Sequence, residues 1–536
     1  MSLSRTINRR LEAELGAAPK EHGGRLRVAL AFPNTYYVGM SNLGFQAVYH
    51  LLNRRPDVVC ERAFLPDPED LASLARTRRP LVSYESQTPL AAFDLVGFSL
   101  PFELDYVNAV TMLRLARLSP LRAERAEADP LLLGGGPGAT LNPEPLAELF
   151  DAFLIGEAEP VLDLLVEEIR RSPGDKAGLL RSLPRIPGVY VPSLYQFGFE
   201  GAKTVAPLPS GGAPARIERQ FASPLDAWPT HSRLLTRETE FGRMFLVEIA
   251  RGCGRACRFC AVHSIYWPLR RRSLANLLSQ VERGLELRDT IGLVSAAVSD
   301  YPQIDQLAAR ICDLGGKVSV SSLRADSASQ GLTEALARSR AQVFTLAPEA
   351  GTERLRAALH KAISDDQIIS AARLAAGKGI PRVKLYFMVG LPGETQADID
   401  AIPRLARQVL RAARPRQMVV SACGFVPKPG TPLEREAMAP PEEMRRKLGR
   451  IRDALKGEPR VRLRFESPGW TLIQGLLSRG DRRLGRRLAR IAERGNSLSA
   501  WRQELRSAQL SEEDICRSRP EEELLPWEHL EGGRAT

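Results

Sequence analysis

The 536-residue sequence has no uncharged apolar run of about 18 residues, the length a membrane-spanning helix needs. No membrane span is therefore expected. Met1 to Gly24 alternates Arg, Glu and Lys without the apolar core of a secretion signal, so the expected location is cytoplasmic. Seven cysteines are too few and too unevenly spaced for a disulfide framework in a chain this long. Three of them crowd between Cys253 and Cys260, while Cys60, Cys312, Cys423 and Cys516 are scattered, which points to a metal site in a reducing compartment. Acidic residues fall short of basic ones, 63 against 75, giving a net charge of +12. A basic surface attracts polyanions, which leaves a nucleic-acid partner open without favouring it. Part of the excess lies between Arg479 and Arg494, where Leu476, Leu477, Leu484, Leu488 and Ile491 fit one helical face and the arginines read as its solvated side. Internal repeats are absent too.

What is present is an ordinary globular composition, 44% hydrophobic and 26% charged, in a chain long enough for about two to four domains. After an extension (1–25), apolar runs at Val28 to Ala31, Val58 to Arg62, Leu81 to Tyr84, Leu95 to Ser99, Leu131 to Leu133 and Ala152 to Ile155 alternate with helical segments such as Asn42 to Leu52 and Tyr106 to Ala116. This predicts a doubly wound α/β domain over 26–181, with ligands beyond the carboxyl ends of its strands. Residues 182–238 are rich in Pro and Gly and read as a linker with room for a hairpin. A second alternating series over 239–456 has strands at Phe245 to Ile249, Gly292 to Ser295, Lys317 to Ser321, Gln342 to Leu346, Val383 to Val389 and Met418 to Ala422, which predicts a partial (β/α)6 barrel. Residues 457–536 read as a small α+β region that opens with the strand VRLRFES and ends in a loose acidic tail.

In VEIARGCGRACRFCAVHS a strand ends at Ala250, and the loop after it offers Cys253, Cys257 and Cys260 at Cys-x3-Cys-x2-Cys spacing. Thiolates this close can wrap one face of a metal cluster. Three ligands for four irons leave one iron open to an exogenous chelator. Structural zinc closes with four protein ligands, and His263, three residues after Cys260, gives a spacing unusual for zinc. A 4Fe-4S cluster is the reading.

The loop resembles the CxxxCxxC signature of the radical S-adenosylmethionine (radical SAM) superfamily. The resemblance implies that the open iron takes the amino and carboxylate groups of S-adenosylmethionine. One electron, from a reductant such as flavodoxin or ferredoxin, then yields methionine and a 5'-deoxyadenosyl radical that takes hydrogen from substrate. It also implies an aromatic near the adenine at Phe259. Ser295, Ala296 and Ala297 replace the glycine-rich segment that holds the methionine amino group, with Asp300 the nearest substitute for its missing acid. Arg324 and Glu349 fall where ribose or carboxylate contacts belong at a barrel mouth. Each has a plainer reading as core packing, cap or structural ion pair.

In the first domain Asn34 to Gly39, Ser99-Leu100-Pro101 and Gly134 to Gly138 fall at successive strand ends. Together they resemble the cobalamin-binding fold, whose pattern is Asp-x-His-x-x-Gly, then Ser-x-Leu, then Gly-Gly. The resemblance implies cobalamin contacts at Asn34, Tyr36, Gly39, Ser99, Gly134, Gly135 and Gly136, with Asn34 and Tyr36 in place of the Asp and His. A tyrosine is a poorer cobalt ligand than imidazole, so an unligated lower face is expected. With FPNTYYVGMSNLG, CGFVPKPGTP and LLSRGDRRL, the chain is similar to an uncharacterised cobalamin-binding radical SAM family from Leu26 to about Ala492. That similarity implies a Rossmann-like cobalamin domain before a radical SAM barrel and, as chemistry, methylation of an unactivated carbon on an unknown substrate. Cyclisation or rearrangement with the same cofactors, an RNA methylthiotransferase-like activity, and a corrinoid or redox sensor are the alternatives. The methylthiotransferase reading calls for a second cysteine cluster in the first domain, where Cys60 stands alone.

Overall fold

The computed structural model describes residues 3–17, 19–200 and 203–531. Strands β1 (Leu26–Phe32), β2 (Val58–Phe64), β3 (Leu95–Ser99), β4 (Leu131–Gly135) and β5 (Ala152–Leu154) run parallel in the order β2-β1-β3-β4-β5, and β6 (Val189–Tyr190) joins the β5 edge antiparallel. Helices on both faces explain why these strands read as unbroken apolar runs rather than alternating ones; every residue of β2 is buried. Chain order reverses between β1 and β3, the switch point at which a crevice opens in sheets of this kind.

One expected strand is corrected. Leu81 to Tyr84 is buried but forms only a bridge from Val82 to Pro89, because Ser83 and Ser86 turn the chain and bond Glu61. Apolar content there signalled burial, not a ladder. The segment expected as a linker contributes β6 to the first sheet, the hairpin of β7 (Tyr195–Glu200) and β8 (Lys203–Pro209), and the short β9 (Ile217–Glu218).

The second sheet system comprises β10 (Met244–Glu248), a small antiparallel pair β11 (Ala250–Arg251) and β12 (Arg270–Arg271), and then β13 (Thr290–Val294), β14 (Lys317–Ser319), β15 (Val343–Glu349), β16 (Arg382–Val389), β17 (Gln417–Gly424) and β18 (Val461–Phe465). The parallel sheets β10-β13-β14 and β15-β16-β17-β18 meet through a bridge between Leu323 and Leu346, giving a partial barrel. The boundary expected at 456 cuts it one strand short. VRLRFES pairs in parallel with β17, its Val461, Leu463 and Phe465 packed toward the helix layer, so it closes the barrel sheet and does not open the C-terminal region.

Beyond β18, helices Pro468–Arg479, Leu484–Arg494 and Leu498–Ser507 return to the first domain, where Leu472, Leu476, Leu488, Ile491 and Trp501 share its core. The expected solvated arginine face is largely tied down: Arg482 pairs with Glu144, Arg490 with Glu504, and buried Arg479 donates to the Ile515 and Arg517 carbonyls. As far as Glu531 the expected loose tail is docked, since buried Trp527 donates to Glu434 and β19 (Leu530–Glu531) pairs with β9; residues 532–536 of that tail lie outside the described residues. The N-terminal extension is anchored as well, by helix Leu3–Glu12 and by Glu14, which pairs with buried Arg62 at 2.7 Å. Among the described residues no helix is long and apolar enough to cross a membrane.

Candidate functional site

The cysteine loop grows out of the end of β10. Gly252 turns the chain at φ +86°, and a Cβ there would meet the Tyr266 carbonyl oxygen at 2.5 Å, so both conformation and space demand glycine. The β11/β12 pair closes the base of the loop. Between these strands Cys253, Cys257 and Cys260 are half-buried free thiols; the Cys260 N–H donates to the Cys257 carbonyl at 3.1 Å, and Cys260 caps the short helix Ala261–Tyr266. Burial pushes the Cys260 thiol up to about 11, with the Val262 N–H opposing and the other two thiols adding to the rise. Cys257 is also raised by burial, opposed by the charges of Lys361 and Arg324.

Paired side chains wall the loop. Arg255 pairs with Asp300 at 2.8 Å and Arg324 with Asp326 at 2.9 Å, and Arg324 Nη1 lies 3.9 Å from Cys257 Sγ. Glu349, in the left-handed region at φ +69°, pairs at 2.7 Å with buried Lys361. Ser295, Ala297 and Asp300 line a small pocket with Gly252, Cys253 and Gly254, whereas Ala296 faces solvent outside it. Asp300 answers Arg255 rather than standing free. Phe259 packs against a cluster containing Leu355, Leu359 and Phe425.

Among the described residues no three Cys, His, Asp or Glu side chains converge as a single-ion site requires. A four-iron cluster distributes its thiolates over separate irons, so three neighbouring thiols on one loop, within electrostatic reach of each other, fit a cluster and not a lone zinc. His263 stacks on Trp267 with ring centres 4.5 Å apart.

At the β1/β3 switch point lies a pocket of about 400 Å³ lined by Phe32, Asn34, Val38, Ser41, Asn42, Pro101, Phe102, Leu104 and Asp105, within the usual range for ligand sites of roughly 300–1,000 Å³. Asn34 Nδ2 donates to Asp105 Oδ1 at 2.8 Å, and Asn108 donates to the same oxygen at 3.2 Å. No cation pairs with Asp105 among the described residues, and burial pushes its pKa up to about 6 against those two donors.

The other first-domain candidates divide. Tyr36 is corrected: helix Tyr36–Met40 turns its ring inward, where it is fully buried and its hydroxyl donates to Glu14 at 2.6 Å. Gly39 and Gly134 are small for packing reasons, since a Cβ would meet the rings of Phe64 and Phe153 at 2.5 and 2.6 Å. Gly135 and Gly136 form the strand-end turn, Gly136 at φ +101° against the Leu100 backbone. Ser99 is half-buried beside Gly135 in the ladder.

Sequence reasoning did not single out the side chain that joins the two sites. Glu157, just past β5, accepts from Arg270 at 2.6 Å and from Arg251 at 2.8 Å, so the first domain grips both strands at the base of the cysteine loop. Helix Pro137–Leu141, from the glycine-rich turn, packs against helix Ala261–Tyr266. Lys428 meets buried Glu103 across the same boundary at 2.5 Å. Lys361 and Asp105 were missed as well, since neither stands in a motif.

Two family models match, "Radical SAM proteins, N-terminal" over residues 44–192 and "Radical SAM superfamily" over 247–406. Uncharacterized protein MJ0966 of Methanocaldococcus jannaschii is 30% identical over 465 residues, 86% of this chain and 90% of that one. The chain belongs to the radical SAM superfamily. The matched segment 247–406 falls within the sheet system Met244–Phe465, and the family's cofactors are a 4Fe-4S cluster and S-adenosylmethionine. The ribosomal protein uS12 methylthiotransferase RimO of Salinispora tropica is 27% identical over 224 residues, 38% of this chain and 43% of that one. A solved structure of OxsB, described as a cobalamin-dependent S-adenosylmethionine radical enzyme, has a TM-score of 0.48 and 15% identity over 71% of this chain and 52% of that one.

Proposed function

We propose that this radical SAM enzyme is cobalamin-dependent and methylates an unactivated carbon. The observation that carries the reading is the Glu157 grip, which fixes the base of the cysteine loop to the strand-end side of the first sheet, the side on which the switch-point pocket opens. Two reactive centres are useful in one chain when a rigid frame holds both to one substrate. When bound, the cluster supplies the electron that breaks the sulfonium bond, and cobalamin supplies a transferable methyl group. Cys253, Cys257 and Cys260 hold the cluster. Ser295 and Ala297 line the small pocket beside Cys253, while the Arg255–Asp300 and Arg324–Asp326 pairs keep their charges internally compensated. Asn34 and Asp105 present hydrogen-bonding groups to a corrinoid in the switch-point pocket, and Tyr36 takes no part, so no side chain of the Asn34 to Gly39 loop offers a strong cobalt ligand.

Anaerobic purification with hydroxocobalamin tests this, with iron and corrinoid counted per chain and transfer of a labelled methyl group followed in cell extract. About four irons and one corrinoid are expected, together with 5'-deoxyadenosine after reduction. Stoichiometric iron without corrinoid overturns the two-cofactor reading. The RimO likeness favours methylthio transfer as a second reading; against it, the first domain has a single cysteine, Cys60, buried in β2.

A further inference from the structure

The inner face of the barrel carries charge that the cofactors do not account for. In β16, Val383, Leu385 and Phe387 pack into the helix layer, so the alternation of the strand turns Lys384 and Tyr386 to the other face. In β18, Arg452 of helix Pro441–Leu455 lies 5.7 Å over the Phe465 ring, which fixes Phe465 on the helix side and sends Arg462 and Arg464 inward. The registers align these residues. Lys384 pairs with Val419 of β17 and Val419 with Arg462; Tyr386 pairs with Ser421 and Ser421 with Arg464. Two short side chains therefore form a floor between cationic walls about 10 Å apart at the backbone, a span that long Lys and Arg side chains close over one small group.

These cations are uncompensated. Among the described residues no carboxylate pairs with Lys384, Arg462 or Arg464, although most arginines around the cysteine loop are paired. Lys384 Nζ lies 4.2 Å from the centre of the Tyr386 ring, itself 37% exposed, and Arg462 and Arg464 are exposed. Glu466, directly after β18, and Glu349, at the end of β15, act on Cys423 at the carboxyl end of β17, and Glu349 is held by Lys361.

We infer that Lys384, Arg462 and Arg464 bind a phosphoryl group of the substrate inside the barrel. The proposal rests on the radical SAM reading, because it makes this concave face the substrate chamber. Guanidinium forks match phosphate oxygens bidentately, and two Arg with one Lys balance a doubly charged phosphate better than a single carboxylate. Lys384 sits four residues before Met388 at the mouth of the barrel, about 13 Å along the strand. The phosphoryl group is therefore an anchor remote from the reacting carbon, and remote binding energy of this kind positions a substrate for reaction. A chamber walled by strands suits a phosphorylated small molecule rather than a duplex.

The test is calorimetric titration of the anaerobically reconstituted full chain with pyrophosphate, with citrate and a single-stranded RNA oligonucleotide as further arms. Wild type is expected to bind pyrophosphate. The double variant R462A/R464A should weaken binding at least tenfold, and K384Q severalfold, while R502A/R506A, on the exposed face of helix Leu498–Ser507, should bind as wild type does. Iron per chain, measured on the same samples, separates loss of anion binding from loss of the cluster. With iron intact, absent pyrophosphate binding or equal affinity in wild type and R462A/R464A overturns the proposal. Tighter binding of citrate overturns the phosphoryl assignment. RNA binding that persists in R462A/R464A, without pyrophosphate binding, overturns it in favour of a polyanion bound elsewhere.

Discussion

Glu157 carries more of this molecule than its one side chain suggests. It is buried, and both oxygens are engaged by arginines from the strands that bracket the cysteine loop. Replacing it by Gln leaves buried Arg270 without a counter-charge, whereas Arg251 keeps Glu159 and Glu248; the loss is about 3 kcal/mol by analogy with other broken buried pairs. Glu157→Gln is therefore expected to lower the denaturant midpoint and to reduce iron retention after gel filtration; unchanged iron content would show that the loop holds its shape without the grip. Cys257→Ala tests the ligand set directly, since three thiolates are the minimum that leaves one iron open. Iron per chain should fall close to zero, and full retention would remove the cluster from this loop. The Cys spacing singled out three residues that the fold places together on one loop at the end of β10, so the grouping was legible at this scale. Glu157 was not, because its partners are about 94 and 113 residues away and no local pattern announces them.

Single elements show why the remaining site candidates fared unequally. Asn34 and Tyr36 stand two positions apart at the end of β1, and a pattern match treats them alike. The helix Tyr36–Met40 separates them, leaving Asn34 on the pocket and turning Tyr36 into a buried ionic network with Glu14 and Arg62. Tyr36→Phe is expected to cost about 2 kcal/mol, the value of one hydrogen bond to a charged acceptor, and to leave the absorption spectrum of bound corrinoid unchanged. Asn34→Ala should alter that spectrum. Equal spectral effects would return Tyr36 to the cofactor site. Strand β18 teaches a related lesson: its alternation of Val, Arg, Leu, Arg and Phe identified a strand, yet the reading assigned it to the wrong side of a boundary, because parallel pairing with β17 is a long-range event that alternation cannot encode. The first sheet was legible because double burial writes itself as apolar runs; Leu81 to Tyr84 is the case where that signal misleads.

Over the whole chain, the C-terminal segment binds the first domain and the barrel into one body, and its buried histidine gives that arrangement a pH signature. His529 sits in the docked tail between Tyr190 and Tyr195, 3.8 Å from Glu144, and burial pulls its pKa down to about 4. Burial likewise lowers His50 to about 4 and His231 to about 3. Unfolded imidazoles take up protons near pH 6.5, so between roughly pH 6.5 and 4 the unfolded chain binds more protons than the folded one and stability falls as pH drops. Asp105 acts in the opposite sense. Its folded pKa of about 6 lies above the unfolded value near 4, so the folded chain binds the extra proton in that window, and ionising Asp105 at neutral pH weakens the fold by less than about 3 kcal/mol. Three imidazoles outweigh one carboxylate, and the urea midpoint should rise from pH 4.5 to pH 6.5. Asp105→Asn is expected to stabilise the protein at pH 7.5 and to do little at pH 4, because asparagine retains an acceptor for Asn34 and Asn108 without the buried charge. His529→Gln should remove about one proton from the acid dependence. Midpoints measured at these pH values for the wild type and both variants decide the matter: a pH-independent effect of Asp105→Asn would mean that folding leaves the pKa of the pocket carboxylate unchanged, and an unchanged slope in His529→Gln would mean that the tail undocks before its histidine titrates.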